Sequence, residues 1–239
     1  MTTGSADEPV AGLRAAFEPL ADPEAAPAMA RYMKNHFPFL GLSTAVRRAA
    51  QRPTLSALAA ASGDELIAFA DACWAQPERE FQYAAADALR RHHRALGARH
   101  LDALARCITT KGWWDTVDTL AAHAVGPLVA RNPELVATMD RWVDGDELWL
   151  ARTAILHQLQ YADRTDADRL FAYAERRAGD TEFFIRKALG WALRQYARVD
   201  PEAVVAFVDA HHAELSGLTR REALKRIAGP PATGADEGA

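Results

Sequence analysis

An all-helical chain is what this sequence predicts, and three observations carry that expectation. Alanine is abundant, β-branched residues are scattered, and no long run alternates apolar and polar at period two. Proline-bearing helix-start signals recur along the chain. Between them, apolar residues fall at three- and four-residue steps, as in Leu66, Ile67, Ala70 and Trp74, in Leu148, Ile155, Leu156 and Leu159, and in Phe184, Ala188 and Trp191.

The punctuation sets the elements. Asp22-Pro23-Glu24, Asn132-Pro133-Glu134 and Asp200-Pro201-Glu202 each offer an N-cap, a proline at the first helical position and an early acid. Gln76-Pro77-Glu78 is a weaker version, and Thr219-Arg220-Arg221-Glu222 fits a capping box. Gly97, Gly179 and Gly229 fall where helices are expected to stop. About a dozen short helices result, in pairs of roughly forty residues without a strict sequence period. Each pair buries one face on its neighbours, which predicts a HEAT-like helical repeat solenoid whose inner helices present a concave surface. With no internal linker visible, one domain is expected over residues 8–228, flanked by disordered tails at 1–7 and 229–239.

The chain of 239 residues is 49% hydrophobic, ample for a continuous core. No stretch approaches the roughly 18 uninterrupted apolar residues of a membrane helix. The acidic start, MTTGSADEPV, lacks a basic segment followed by an apolar one, so no secretory signal and a cytoplasmic location are expected. Cys73 and Cys107 sit in apolar helical patterns without CxxC spacing and read as two buried free thiols. Net charge is −4 and the pI near 6.1, which alone argues against a nucleic-acid binder. The signs are unevenly placed, however. Acids crowd helix starts and tails, while arginines cluster around Arg47 and Arg48, from Arg90 to Arg94, and from Arg220. What a polyanion meets is the local field, so composition leaves that question open.

The most informative segment is KGWWDTVD, residues 111–118. On a helix Trp114 and Asp118 share one face, an indole beside a carboxylate, while Asp115 is better placed to serve the first turn. Both tryptophans as core and both aspartates as helix-start acids is the competing reading, but adjacent tryptophans do not both face the core of one helix. In EFFIRKALGWALRQYAR, residues 182–198, Lys187, Trp191 and Arg194 share a face; a core tryptophan beneath snorkelling basic stems is the plainer alternative. Arg152 stands inside an otherwise apolar helix and either pairs with an acid or faces a groove. The pairs His92-His93 and His211-His212 lie at polar helix ends without a carboxylate cluster, so solvated surface is expected there and no metal or other cofactor.

The strings MARYMKNHFPFLGL (29–42), PEREFQYAA (77–85), KGWWDTVD, LWLARTAILHQLQY (148–161) and FFIRKALGWALRQYA together resemble the AlkD-type alkylpurine DNA glycosylases, repair enzymes built from HEAT-like repeats. The similarity runs in register from about residue 10 to residue 228. It implies an enzyme acting on double-stranded DNA that contains alkylated bases, removing cationic N3- or N7-substituted purines; a concave DNA surface needs no partner chain, so a monomer is expected. By motif, the two indoles and the carboxylate that frame the lesion's deoxyribose fall on Trp114, Trp191 and Asp118. The DNA-contacting tyrosine and arginines fall on Tyr32, Arg152 and Arg194, with Arg47 and Lys187 as further backbone contacts. Gln160 departs from the pattern, where relatives can carry a lysine. A catalytically silent branch lacks the key aspartate, which is present here as Asp118.

The implied chemistry suits these residues. An N3- or N7-alkylated purine is already cationic and leaves as a neutral base, so one carboxylate suffices where sugar hydrolases use a pair. As an oxocarbenium ion develops, a carboxylate stabilises it and orients water, and indole faces add cation–π attraction of roughly 0.5–2 kcal/mol per contact. The family leaves the damaged base largely stacked, unlike the glycosylases that flip it into a pocket; this implies tolerance of bulky lesions. Two other classes fit the helical reading: a HEAT-like scaffold for a protein partner, and a DNA-binding repeat protein without catalysis.

Overall fold

The structure, a computed structural model, describes residues 4–225 and 227. Among them are fourteen α-helices joined by short 3-10 turns, with no strand. None of these helices is long and apolar enough to cross a membrane. The described residues divide into two compact units, one up to Val136 and one from Ala137 onward, although no linker marks the division in the sequence.

The first unit contains α1 (Gly4–Phe17), α2 (Ala26–Tyr32), α3 (Thr44–Ala57), α4 (Gly63–Ala75), α5 (Arg79–Arg91), α6 (Leu101–Thr109), α7 (Trp114–Leu120) and α8 (Gly126–Arg131). α1 begins at Gly4, inside the segment expected to be a tail. α4 opens on a full capping box in which the Ser62 hydroxyl accepts from Glu65 N while the Glu65 carboxylate accepts from Ser62 N. α1 packs on α3 and α4, α4 on α5, and α5 on α7. Leu13, Phe17, Leu66, Phe69, Phe81, Leu89, Leu104, Ile108 and Leu120 are fully buried between them. Cys73 and Cys107 are buried free thiols as expected. Burial raises both above the ordinary thiol range, Cys107 to about 12.

A loop between α2 and α3 is held by one side chain. The buried Glu80 carboxylate accepts the backbone N–H groups of Leu40, Gly41 and Leu42 at 3.0, 2.9 and 3.2 Å. Gly41 is at φ +90°, and a Cβ there would lie 2.1 Å from the carbonyl oxygen of Asp22, so only glycine fits.

The second unit contains α9 (Val136–Asp144), α10 (Leu148–Leu156), α11 (Ala167–Arg176), α12 (Phe183–Tyr196), α13 (Pro201–Ala210) and α14 (Gly217–Leu224). α12 packs against α10, α11, α13 and α14. α13 starts as its signal predicts, with Asp200 accepting from Ala203 N at 2.9 Å and Pro201 in the first turn. Asn132 instead serves the end of the preceding helix, donating to Leu128 O. The box expected at Thr219 is replaced by a cap at Ser216, whose hydroxyl accepts from Thr219 N. Thr219 then donates to Arg186 O on α12. Gly97 and Gly179 fall between helices, and Gly229 lies outside the described residues.

Side-chain ties recur at one repeat's separation. Arg47–Asp87, Arg79–Asp115, Arg99–Asp64, Arg106–Asp71 and Arg176–Asp144 span 32 to 40 residues. The roughly forty-residue helix pair expected from the sequence is therefore the unit at which neighbouring hairpins are joined.

Candidate functional site

On the first unit the adjacent tryptophans divide. Trp113 is extended at the N-cap of α7 (φ −156°, ψ 154°), and its ring lies 4.3 Å from that of His36. Trp114 begins the helix and meets the ring of Tyr32 edge-on at 6.3 Å and 79°. Tyr32 ends α2 and is 70% exposed. Both indoles rest on a cluster of Met33, Phe37 and Phe39. Asp118, one turn after Trp114, is half-buried on the same helical face.

Asp115 has a different role from Asp118. The fully buried Arg79 donates to it twice, Nε to Oδ2 at 3.1 Å and Nη2 to Oδ1 at 2.5 Å. The Tyr83 hydroxyl donates to Oδ2 at 2.6 Å, and Thr116 N donates to Oδ1 at 2.9 Å. Arg79 also donates to Lys111 O and Thr116 Oγ1, both at 2.9 Å, and its guanidinium stacks 3.9 Å from the Phe37 ring. Burial, reinforced by the Asp115 charge, pushes the Tyr83 phenol well above its ordinary value, so it remains a neutral donor. Lys111 donates to Trp74 O and Gln76 O at 2.6 Å, and burial lowers its ammonium below the usual range. The start of α7 is thus bolted to α5 by a polar network, and the half-buried Trp114–Asp118 face stands on that anchor.

Past Leu120 the helix continues through a π-helical segment, Ala121–Val125, into α8. Gly126 N donates to Ala121 O, five residues back. Pro127 supplies the cause: it lacks an N–H and its ring crowds the carbonyl four residues before it, so the ladder widens.

On the second unit, Lys187, Trp191 and Arg194 are half-buried along one face of α12. The cations straddle a single acid from α14. Lys187 Nζ stands 2.7 Å from Glu222 Oε1 and Arg194 Nη1 2.5 Å from Glu222 Oε2. The Lys187 hydrogen bond, against the opposing effect of burial, holds the Glu222 carboxyl below its ordinary value, with Arg194 adding to it. Gly190 makes this approach feasible, because a Cβ there would lie 2.5 Å from Glu222 Cβ and 2.9 Å from Thr219 O. Arg152 on α10 is 3% exposed and donates from Nη1 to Phe184 O at 2.5 Å, near the start of α12.

Arg47 departs from its expected place as a backbone contact. It is 6% exposed, and its Nη1 donates to Asp87 at 2.9 Å and Gln51 at 2.8 Å. The exposed cation at that helix position is its neighbour Arg48. Reasoning from the sequence also passed over Arg79, Tyr83 and Glu222. PEREFQYAA contains the first two, but only their partners 32 to 36 residues on reveal a network. Among the described residues no group of three or more His, Cys, Asp or Glu side chains is placed to hold a metal ion. His92 and His211, expected on solvated surface, are partly covered: His92 Nε2 lies 2.8 Å from Leu55 O and the His211 ring 4.5 Å from that of Phe207.

Fold and site define an all-helical protein of stacked helix pairs that presents aromatic, carboxylate and basic side chains from its helices. Residues 13–227 match the family described as DNA alkylation repair enzymes, and the chain belongs to that family. It is similar to the solved structure of a "Predicted DNA alkylation repair enzyme from Enterococcus faecalis", with 29% identity, a TM-score of 0.80, and coverage of 88% of this chain and 98% of that one. A second solved structure, smu.31 from Streptococcus mutans UA159, shares the fold at 15% identity and a TM-score of 0.58, covering 73% of this chain and 90% of that one. No curated protein matches.

Proposed function

We propose that this chain is a DNA glycosylase that hydrolyses the N-glycosidic bond of cationic N3- or N7-alkylated purines in duplex DNA, in the cytoplasm and without full flipping of the base. The observation that carries the reading is the shared face of Trp114 and Asp118, both half-buried one turn apart on α7, at a helix start fixed by Asp115, Arg79 and Tyr83. An indole beside a carboxylate is what a developing oxocarbenium ion needs, one for cation–π attraction and one for charge stabilisation.

In this reading the leaving base needs no proton, because alkylation has already made it cationic. Asp118 stabilises the sugar cation and orients the attacking water; Trp114, braced by Tyr32, covers a face of the deoxyribose. On the second unit, Trp191 stands on α12 on one face with Lys187 and Arg194, an aromatic and cationic face suited to the DNA backbone. Arg152 holds the start of α12 through Phe184 O. Recognition then rests on phosphate contacts and DNA shape, which leaves room for bulky as well as methyl adducts.

The test is single-turnover release of 7-methylguanine and 3-methyladenine from methylated duplex DNA by wild type and Asp118→Asn. Release that falls by two or more orders of magnitude in the variant, with DNA binding retained, is the expected result. DNA binding without release of any small or bulky adduct by the wild type would leave a DNA-binding repeat protein without catalysis.

A further inference from the structure

A groove of about 400 Å³ opens on the first unit between α3 and the end of α5. Arg48, Arg52, Arg90 and Arg91 line it, and all four are exposed. Its floor is buried and built. The Asp87 carboxylate accepts from Arg47 at 2.9 Å and Gln51 at 2.8 Å, both buried, and Arg90 and Arg48 approach it at 3.3 and 4.0 Å. Burial alone would raise the Asp87 carboxyl, but Arg47 and Gln51 hold it below its ordinary value. One acid therefore stands within 4.0 Å of three arginines, Arg47, Arg48 and Arg90, with Arg52 and Arg91 lining the same groove, in a chain whose net charge is −4. Arg52 and Arg91 make no ion pair among the described residues.

Such a cluster repels itself unless an anion enters, and guanidinium forks match phosphodiester oxygens in pairs. The floor is also continuous with the α7 anchor. Arg47 stacks 5.1 Å from the Tyr83 ring, and the Tyr83 hydroxyl donates to Asp115, the neighbour of Trp114. An anion seated here is held by the same rigid frame that holds the indole–carboxylate face.

We propose that this groove is a phosphate-backbone binding site for duplex DNA, with Arg48, Arg52, Arg90 and Arg91 as the contacts and Asp87 as the buried anchor that spaces them. The proposal rests on the DNA-directed reading above, but not on excision. The occupant is DNA rather than an acidic protein because the cluster is all arginine and shares a unit with Trp114 and Asp118.

The test is anisotropy binding of the full chain to an undamaged labelled duplex between about 50 and 200 mM salt. Arg48→Gln/Arg52→Gln and Arg90→Gln/Arg91→Gln are compared with Arg99→Gln/Arg106→Gln, which removes two exposed charges of the same unit elsewhere. Each groove pair is expected to weaken binding roughly tenfold or more near 100 mM salt and to flatten the plot of log affinity against log salt by about 0.9 for each phosphate no longer neutralised. The control pair keeps the wild-type slope. Groove variants with wild-type slope and affinity, an equal loss in the control pair, or weaker binding of polyglutamate with DNA binding unchanged would each overturn the proposal. Groove-dependent DNA binding in a chain that releases no base would sink only the glycosylase reading.

Discussion

Arg79 shows how much one residue decides. It is fully buried, and its charge is balanced by Asp115, itself only 6% exposed at the side chain. Removing one partner of such a pair strands the other. Arg79→Leu is expected to destabilise the chain by about 3 kcal/mol or more, read as a lower denaturant midpoint. Adding Asp115→Asn to that variant recovers part of the loss, because the orphaned charge is gone; no recovery would mean that packing around Phe37 dominates instead. At this scale the sequence was half legible. That two neighbouring tryptophans must part was readable from helix geometry alone. That Asp115 faces inward and Arg79 is its counter-ion was not, since the pairing depends on how α5 meets α7. Arg47 misled for the same reason: its burial is set by Asp87, 40 residues on.

Helices whose start signal is local were the legible elements. Asp200-Pro201 caps α13 as expected, because the cap bond reaches only to Ala203. Thr219 failed as a cap because Ser216, three residues earlier, takes that place and frees Thr219 to bond Arg186 O on α12. The close approach of α14 to α12 leaves no room for a side chain at Gly190. Gly190→Ala is therefore expected to cost about 1–3 kcal/mol through overpacking, despite alanine's better helix propensity. Thermal denaturation decides it: an unchanged or raised midpoint would mean that α14 moves aside without loss. The same variant is expected to loosen the grip of Glu222 on Lys187 and Arg194.

For the molecule as a whole, the −4 charge was a poor guide to the local field, because four exposed arginines in the groove over Asp87 make one basic region within an acidic total. Stability against pH has a clearer source. His157 is 2% exposed, its Nδ1 lies 2.6 Å from Ala154 O, and burial lowers it from 6.5 to about 4. The folded ring stays neutral while the unfolded ring gains a proton, so the unfolded state is favoured as pH falls from 6.5 towards 4. The loss is expected to reach about 3 kcal/mol across that interval. His93 and His123, also lowered by burial, act in the same direction. The depressed carboxyls of Asp64, Asp87, Asp144 and Glu222 act lower, with reference values of 3.8 to 4.5. Chemical denaturation at pH 7, 5.5 and 4.5 checks this, and a flat profile above pH 4.5 would remove His157 as the cause. The helix-pair period was legible from punctuation; the division at residue 136 was not, because no glycine- or serine-rich linker accompanies it.

The wide turn at Ala121–Val125 sets a phase. An α-helix advances about 100° per residue, and one extra residue in the ladder resets everything beyond it by that angle. Val117 and Leu120 before the turn, and Leu128 and Val129 after it, are all buried, while Asp118 keeps partial exposure. With an unbroken ladder, either the later apolar pair would swing out of the core or Trp114 and Asp118 would rotate off their face. Pro127, which touches none of the chemistry, thus fixes the azimuth at which the carboxylate is presented.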